Sequence, residues 1–145
     1  MIALMQRVTQ AAVDVDGTRV ATMGRGLLVF VGVRPEDNEA AAEQLLQRLL
    51  QYRVFSDPAG KMNLNLSQVG GQLLLIPQFT LAADTSKGLR PGFSTAASPD
   101  VGRRLFEHMV HSAKIALGSV ECGVFGANMQ VSLTNDGPVT FWLET

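Results

Sequence analysis

The chain has 145 residues, of which 46% are hydrophobic and 17% charged, and its formal net charge is −1. This balance predicts one globular domain spanning residues 1–145 and excludes a disordered chain. The near-neutral charge excludes a broad basic surface, so any RNA contact must come from a small local patch. No apolar run approaches the ~20 residues of a membrane span. The single cysteine, Cys122, and the lack of a signal-peptide pattern predict a cytoplasmic protein without disulfides.

The first third of the chain predicts strands followed by one helix. Residues 2–8 and 12–15 favour strands, and Asp16-Gly17 favours a turn into a third strand. The continuous apolar run at 26–33 is typical of a strand covered on both faces. We expect Asp37 to cap the helix that follows. Its apolar stripe consists of Ala42, Leu45, Leu46, Leu49 and Leu50.

The middle of the chain predicts two strands, a long polar loop and a second helix. Residues 53–55 favour a short strand, and the apolar run at 72–76 favours a buried one. Residues 82–95 are too polar to pack and predict a loop. The second helix is expected to begin with Ser98 as cap and Pro99 as its first residue, and to end at Gly118. Its apolar residues repeat every four positions, at Val101, Leu105, Met109 and Ala113.

The end of the chain predicts a hairpin. Residues 129–134 and 139–143 alternate as strands, and Asn-Asp-Gly-Pro at 135–138 has the composition of a turn. Local chemistry gives no reason to expect a cis bond before Pro138. The elements add up to a mixed α/β fold of six or seven strands with two helices on one side. No glycine-rich loop joins a strand to a helix, which argues against a doubly wound nucleotide fold.

Few side chains suggest catalysis. His108 and His111 share a helix face, but without a third ligand they fit partly exposed helix residues better than a metal site. Cys122 fits a small strand residue better than a nucleophile. Residues 78–80 follow a buried strand and would form either a pocket mouth or merely a polar strand end. Lys87 and Arg90 would form either a phosphate contact or part of a solvated loop.

Seven blocks along nearly the whole chain carry a resemblance to a known family. They are MQRV from Met5, GRGLLVFVGV from Gly24, YRVFSDPAGKMN from Tyr52, QFTLAADT from Gln78, KGLRPGF from Lys87, FGANMQVSL from Phe125 and NDGPVTFWL from Asn135. Together they resemble the D-aminoacyl-tRNA deacylase (D-tyrosyl-tRNA deacylase) family, whose defining motifs are QFTL and NDGPVT. One tetrapeptide could arise by chance, whereas seven collinear blocks could not.

The resemblance implies a fold and a reaction. It implies a homodimer of single three-layer β/β/α domains with mixed, largely antiparallel sheets and two main helices. It also implies hydrolysis of the ester between a D-amino acid, or glycine, and the terminal adenosine of tRNA. The implied partners are D-aminoacyl-tRNA and glycyl-tRNA, with no membrane and no DNA. No metal and no cofactor is implied.

The resemblance assigns the C-terminal motif to chiral selection. It implies a cis bond at Gly137-Pro138 that reaches across the dimer into the partner's pocket, braced by Arg7. The main-chain carbonyls there would crowd the side on which an L side chain would sit. Such a filter rejects the wrong enantiomer without recognising any particular side chain, so it also passes achiral glycine. Glycine keeps Cβ out of the pocket and proline holds the backbone rigid.

The resemblance also assigns the chemistry to the QFTL segment. It implies that the main-chain N–H groups of Phe79 and Thr80 stabilise the oxyanion, while Gln78 orients the substrate and the substrate's 2′-hydroxyl assists attack. An alternative uses the Thr80 hydroxyl as nucleophile, although no adjacent base is visible. Phe125 and Met129 fit a pocket for the terminal adenine, or alternatively the core. Lys87 and Arg90 are implied to contact the acceptor stem.

The chain departs from the family pattern at several positions. Pro77 stands where serine is usual, which removes a hydroxyl and a backbone N–H from the edge of the pocket. The other departures are Gly92, Cys122, Val124 and Asn128, which concern loop contacts more than chemistry. Two further hypotheses therefore stay open. The chain could be a tRNA-end binding module impaired by Pro77, or a hydrolase of other small esters or amides.

Overall fold

The computed structural model describes residues 1–145 and contains eight strands, two α-helices and one 3₁₀ turn. In chain order these are β1 (Ile2–Val15), β2 (Thr18–Met23), β3 (Gly26–Gly32), α1 (Glu39–Gln51), β4 (Phe55–Ser56), β5 (Met62–Leu64), β6 (Gln72–Pro77), the 3₁₀ turn (Phe79–Ala82), α2 (Pro99–Leu117), β7 (Glu121–Cys122) and β8 (Met129–Glu144). The predicted short strand at 53–55 begins only at Phe55. No helix combines the length and the apolar character that crossing a membrane requires.

Six strands form one mixed sheet. The order β2-β1-β3-β6-β7 runs across it, with β8 also paired to β1, while β4 and β5 make a separate ribbon. Pairs β3–β6 and β6–β7 are parallel, and every pair made by β1 is antiparallel. The first half of β1 lies between β3 and β8, whereas its second half lies between β2 and β8. The two halves of β1 therefore belong to two different parts of a curled sheet.

Two apolar cores lie on the two faces of the sheet. The larger core joins the helices to one face of the sheet, and its fully buried side chains include Leu45 and Leu49 of α1, Leu105 and Met109 of α2, and Leu73 of β6. Most residues of the predicted helix stripes lie in it, while Leu50 and Val101 are only partly buried at its edge.

The smaller core lies on the opposite face of β3 and β6. Leu28 and Leu74 pack there against Val8, Val13 and Met23, which belong to the curled part of the sheet. The two cores produce a β/β/α arrangement, because burial of apolar surface on both sides of a sheet needs a covering layer on each. The predicted mixed α/β fold with helices on one side is confirmed.

The predicted helix ends are only partly correct. The N-cap of α1 is Asn38, whose side chain accepts a 3.0 Å hydrogen bond from the N–H of Ala41. The predicted cap, Asp37, instead lies 2.6 Å from the N-terminal ammonium and accepts a bond from the N–H of Arg34. Helix α2 begins at Pro99 as predicted, but the Ser98 side chain makes no capping hydrogen bond. It ends at Gly118, whose φ of 81° is readily reached only by glycine.

The predicted C-terminal hairpin is wrong. Strand β8 is continuous from Met129 to Glu144, and it pairs with β1 both before and after the Asn-Asp-Gly-Pro segment. Between the pairs Gln6–Thr140 and Val8–Asn135, β8 has four residues opposite the single residue Arg7. These four residues, 136–139, form an outward bulge that we call the 136–139 bulge. The chain keeps its direction there because one long partner strand supplies hydrogen bonds on both sides.

Candidate functional site

A cavity of about 440 Å³ lies where β3 and β6 end beside the start of α2. Among the site residues expected from the sequence, Gln78, Phe79, Phe125 and Met129 line it. These side chains come from two segments, one directly after β6 and one that runs from the β7–β8 connection into the first residue of β8. The parallel pairing of β6 with β3 and β7 brings both segments to the same edge of the sheet.

A larger and more open depression of about 670 Å³ borders the same 3₁₀ turn at Leu81 and Ala82. It also contains Arg34 and Trp142, but none of the side chains that the sequence marked as candidates. We therefore place the candidate site in the 440 Å³ cavity, where the polar groups of the QFTL segment converge with an apolar wall.

Backbone hydrogen bonds hold the QFTL segment in place. The N–H of Gln78 donates a 2.7 Å hydrogen bond to the carbonyl of Val31, and the carbonyl of Gln78 accepts the N–H of Leu81 at 3.2 Å. The N–H groups of Phe79 and Thr80 precede this first bond of the 3₁₀ turn, so they have no acceptor within the turn. Two neighbouring main-chain donors of this kind are suited to binding an oxyanion.

The polar side chains of this segment bond to each other. The Gln78 amide donates a 2.5 Å hydrogen bond to the hydroxyl of Thr80. An amide cannot remove a proton, so this contact positions the two side chains without activating the hydroxyl. Thr80 is exposed and does not line the cavity wall itself.

The aromatic ring of Phe79 connects the segment to the following loop. Phe79 is 56% exposed and lies 5.1 Å, centroid to centroid, from the ring of Phe93 at an angle of 52°. The loop is closed at its base by two hydrogen bonds, at 2.8 and 2.9 Å, between the backbones of Asp84 and Gly92. The ring contact and the paired backbone bonds both fix the base of the loop, and they thereby define where its tip lies.

Lys87 and Arg90 lie at the tip of that loop. Both are exposed, and neither lines the cavity. The carboxylate of Asp84 accepts hydrogen bonds from both the hydroxyl and the N–H of Ser86, and these bonds lower the pKa of its carboxyl group. The two cations therefore lie outside the cavity.

Phe125 and Met129 form the apolar wall and also contact the core. Phe125 is half-buried, with its ring centroid 6.5 Å from that of Phe106. The Met129 sulfur accepts the N–H of Val124 at 3.3 Å. Because both side chains line the cavity and also pack against core clusters, the two roles left open by the sequence are compatible.

Pro77 is part of the cavity wall. It ends β6 opposite Val31, and its ring lies close to Gly123, where an added Cβ would come within 3.2 Å of the proline Cδ. The same Cβ would lie 2.8 Å from the Met129 sulfur. Pro77 is therefore a packed apolar residue at the site's edge, and the N–H of Gln78 supplies the next backbone bond to β3.

Arg7 contacts the 136–139 bulge directly. Its Nε donates a 3.0 Å hydrogen bond to the carbonyl of Asp136 and lies 3.2 Å from that residue's carboxylate. Its Nη1 donates to the carbonyl of Val54 at 2.6 Å. The Arg7 side chain is only 11% exposed, so the guanidinium links the bulge to the chain segment before β4 in a largely water-excluded place.

Asn135 holds the same bulge and was not among the candidates from the sequence. Its amide nitrogen donates to the carbonyls of Arg7 and Val139, both at 2.9 Å, and its amide oxygen accepts the N–H of Val139 at 3.0 Å. The sequence offered one signal, since asparagine often bonds nearby backbone groups. The same signal also fits an ordinary turn.

Gly137 and Pro138 are exposed at the tip of the bulge, and the peptide bond between them is cis. Neither residue lines the cavity of its own chain. A Cβ built on Gly137 would lie 2.1 Å from the backbone nitrogen of Val139 and 2.8 Å from its Cγ2. Glycine is therefore required here by the chain's own backbone, whatever the bulge contacts.

The helix histidines lie away from the cavity. His108 Nε2 is 2.7 Å from a carboxylate oxygen of Glu43, and the Ser112 hydroxyl donates to that same oxygen at 2.5 Å. These contacts, the Ser112 hydroxyl first, hold the pKa of Glu43 below its usual range. His111 is exposed, and no three residues among His, Cys, Asp and Glu are grouped so as to hold a metal ion. The cluster ties α2 to α1.

Comparison with known proteins identifies the family. Residues 4–144 match the family model described as D-Tyr-tRNA(Tyr) deacylase. The chain belongs to this family. The D-aminoacyl-tRNA deacylase of Thioalkalivibrio sulfidiphilus is 59% identical over 99% of this chain and 97% of its own. That of Pseudomonas fluorescens is 58% identical over 100% of both chains. The expected family and its hydrolase class are confirmed.

Solved structures agree with the deacylase family fold. A protein described as c-Myc DNA unwinding element binding protein covers 100% of this chain and 99% of its own, with a TM-score of 0.95 and 34% identity. A probable eukaryotic D-amino acid tRNA deacylase covers 99% of this chain and 98% of its own, with a TM-score of 0.87 and 19% identity. The second likeness concerns the fold alone.

Proposed function

We propose that this deacylase hydrolyses the ester joining a D-amino acid, or glycine, to the terminal adenosine of tRNA. The observation that carries the proposal is a cavity lined by Gln78, Phe79 and an apolar wall, next to a turn in which the N–H groups of Phe79 and Thr80 have no acceptor. The proposal also rests on family membership over residues 4–144. Because charged tRNA is its substrate, we infer that the protein works in the cytoplasm.

The terminal adenosine is proposed to occupy the cavity with its base against Phe125 and Met129. A volume of about 440 Å³ falls in the range of small-ligand sites, and an aromatic ring beside a thioether suits a flat base. In this position the ester would face the QFTL segment. The Gln78 amide, already bonded to Thr80, then lies where it can orient the substrate.

Catalysis is proposed to depend on the backbone. The N–H groups of Phe79 and Thr80 stabilise the oxyanion that forms when water attacks the ester carbonyl, each contributing about 3–4 kcal/mol. The 2′-hydroxyl of the substrate assists the attack. The alternative nucleophile, the Thr80 hydroxyl, is bonded to the Gln78 amide, which cannot act as a base. We therefore favour the backbone mechanism.

Chiral selection is proposed to come from the 136–139 bulge of a second copy in a homodimer. Gly137 and Pro138 are exposed and lie outside their own chain's cavity, so they are available to another chain. Arg7 and Asn135 hold the bulge by hydrogen bonds of 2.9–3.0 Å. A rigid backbone wall would exclude an L side chain, admit a D side chain, and fail to exclude glycine.

Contacts outside the cavity are proposed for the loop at 82–95. Lys87 and Arg90 are exposed at its tip and would meet phosphates of the acceptor stem. The net charge of −1 makes such local cations necessary for RNA binding.

The proposal is tested by incubating the protein at catalytic concentration with D-tyrosyl-, L-tyrosyl- and glycyl-tRNA and following loss of each ester. Rapid loss of the D and glycyl esters with the L ester spared is expected. Loss of the L ester as well would show that the bulge does not filter. Survival of all three esters would favour the alternative of a tRNA-end binding module impaired at Pro77.

A further inference from the structure

Arg103 lies at the rim of the proposed adenosine cavity. Its guanidinium carbon is 4.9 Å from the centre of the Phe125 ring, a distance typical of a cation–π contact. A Cβ built on Gly126 would lie 3.9 Å from Arg103 Nη2. Phe125, Gly126 and the preceding helix residue, Gly102, all line the cavity, although Arg103 itself does not. The cation is therefore placed just outside the mouth.

The guanidinium of Arg103 is held in position but is weakly paired. Its ion pair with Glu107 is 3.8 Å long, and the two side chains are 53% and 64% exposed. Such a pair contributes little and yields readily to a stronger anion. The neighbouring Arg104 differs, because it donates a 2.8 Å hydrogen bond to Glu39 on α1. Two adjacent arginines thus have different environments, and only Arg103 borders the cavity.

We propose that Arg103 binds the phosphodiester on the 5′ side of the terminal adenosine. The inference rests on the proposed function, which puts adenine against Phe125 and leaves the RNA strand to continue from the cavity mouth. A planar guanidinium stacked on the same ring is preorganised for a phosphate, since its donors match the phosphate oxygens. This role is not visible in the sequence, because only the fold brings α2 to Phe125.

The test compares three D-tyrosyl esters: of adenosine, of the dinucleotide cytidylyl-adenosine, and of full-length tRNA. The adenosine ester has no phosphodiester and the dinucleotide has one. Arg103→Gln is expected to raise KM about fivefold, the upper end for an exposed ion pair, for the dinucleotide and tRNA esters. The KM of the adenosine ester should stay unchanged, which shows that Phe125 and the cavity are intact.

Salt dependence and matched variants sharpen the test. For the dinucleotide ester, the slope of log(kcat/KM) against log salt concentration should shrink in magnitude by about 0.7 in Arg103→Gln, the value for one phosphate contact on a single strand. Arg103→Lys keeps the charge and should keep most of the slope. Arg104→Gln should behave like the wild type with all three esters.

Two results would overturn the inference. If Arg103→Gln hydrolyses all three esters as the wild type does, the side chain binds no phosphate. If it impairs the adenosine ester as much as the dinucleotide ester, its role is to pack Phe125. Failure of the wild type on every ester is a different outcome, since it would contradict the proposed function and this inference together.

Discussion

The side chain of Asn135 hydrogen-bonds both backbone polar groups of Val139, at 2.9 and 3.0 Å. The two residues flank the exposed tip of the 136–139 bulge, so the amide closes the bulge into a ring. A further bond at 2.9 Å from the amide to the carbonyl of Arg7 ties that ring to β1. Asn135 thereby holds the base of the bulge together with Arg7, although Gly137 and Pro138 are exposed.

Asn135→Ala should loosen the bulge and weaken chiral selection. The variant leaves partly buried backbone groups of Val139 and Arg7 without partners, which should cost about 1–3 kcal/mol of unfolding free energy. We expect hydrolysis of L-tyrosyl-tRNA to rise relative to D-tyrosyl-tRNA, measured as the ratio of kcat/KM values.

Asn65→Ala is the matched control for this change. Asn65 also accepts a backbone N–H, that of Gln68 at 3.0 Å, in a loop outside the cavity. It should lose some stability without any change in the ratio. If Asn135→Ala left the ratio unchanged as well, the side chain would serve stability alone.

Gly137→Ala should destabilise the protein even before any second copy is considered. The added Cβ would lie 2.1 Å from the backbone nitrogen of Val139, so the backbone must shift. Overpacking of this kind costs about 1–3 kcal/mol. For a chain of this size, thermal unfolding should move down by roughly 2–4 °C per kcal/mol.

Gly92→Ala provides the comparison, because its Cβ would meet only Asp84 at 3.8 Å, an ordinary contact. Its melting temperature should stay close to that of the wild type. Equal melting temperatures for Gly137→Ala and the wild type would show that the bulge accommodates a side chain freely, against the close approach seen here.

Two substitutions at Thr80 separate the backbone mechanism from the hydroxyl mechanism. Thr80→Val removes the hydroxyl and keeps the N–H, so kcat should fall by less than about tenfold, the range of an orienting contact. Thr80→Pro removes the N–H at an early turn position that proline tolerates, so kcat should fall by about 10²–10³. Single-turnover kinetics measure the loss of rate in each variant, and thermal unfolding shows whether each variant is folded. The opposite order of losses would establish the hydroxyl as nucleophile.

The hydrogen bond from the Ser112 hydroxyl should be measurable as a lowered pKa of the Glu43 carboxyl group. The folded-state pKa of Glu43 is lowered from its ordinary 4.5, chiefly by the Ser112 hydroxyl. A lowered folded pKa contributes stability above the unfolded value, and that stability is lost as pH falls through the folded value. The effect is small because Glu43 is 43% exposed.

Ser112→Ala should therefore raise the pKa of Glu43 towards its ordinary value, as followed by NMR titration of the side-chain carboxyl carbon. His108 also contacts this carboxylate and should keep part of the lowering in the variant. His111→Ala, at an exposed position on the same helix, should leave the titration unchanged. An unaltered pKa in Ser112→Ala would refute the assignment to the hydroxyl.

Much of the fold follows from local sequence patterns. The apolar runs at 26–33 and 72–76 became the buried strands β3 and β6, and the four-residue spacing of Leu105, Met109 and Ala113 became the core face of α2. Such patterns determine an element because burial of its own side chains decides its conformation. The collinear motifs likewise indicated the family from the sequence, and the family match over residues 4–144 confirms it.

Tertiary structure decided what depends on distant partners. Residues 129–143 look like a hairpin locally, yet β1, more than a hundred residues earlier, pairs with both halves and keeps β8 continuous. Asp37 has the composition of a helix cap, but its carboxylate binds the N-terminal ammonium. The cap of α1 is Asn38 instead.

The site shows the same division. The QFTL and NDGPVT motifs were readable as sequence, whereas the roles of Asn135 at the bulge and Arg103 beside Phe125 were not. A side chain's partner depends on which backbone groups the sheet leaves unpaired and which helix face reaches them. Sequence by itself therefore determined the two helices, the buried strands and the family, and packing between distant segments determined the course of β8 and the geometry of the site.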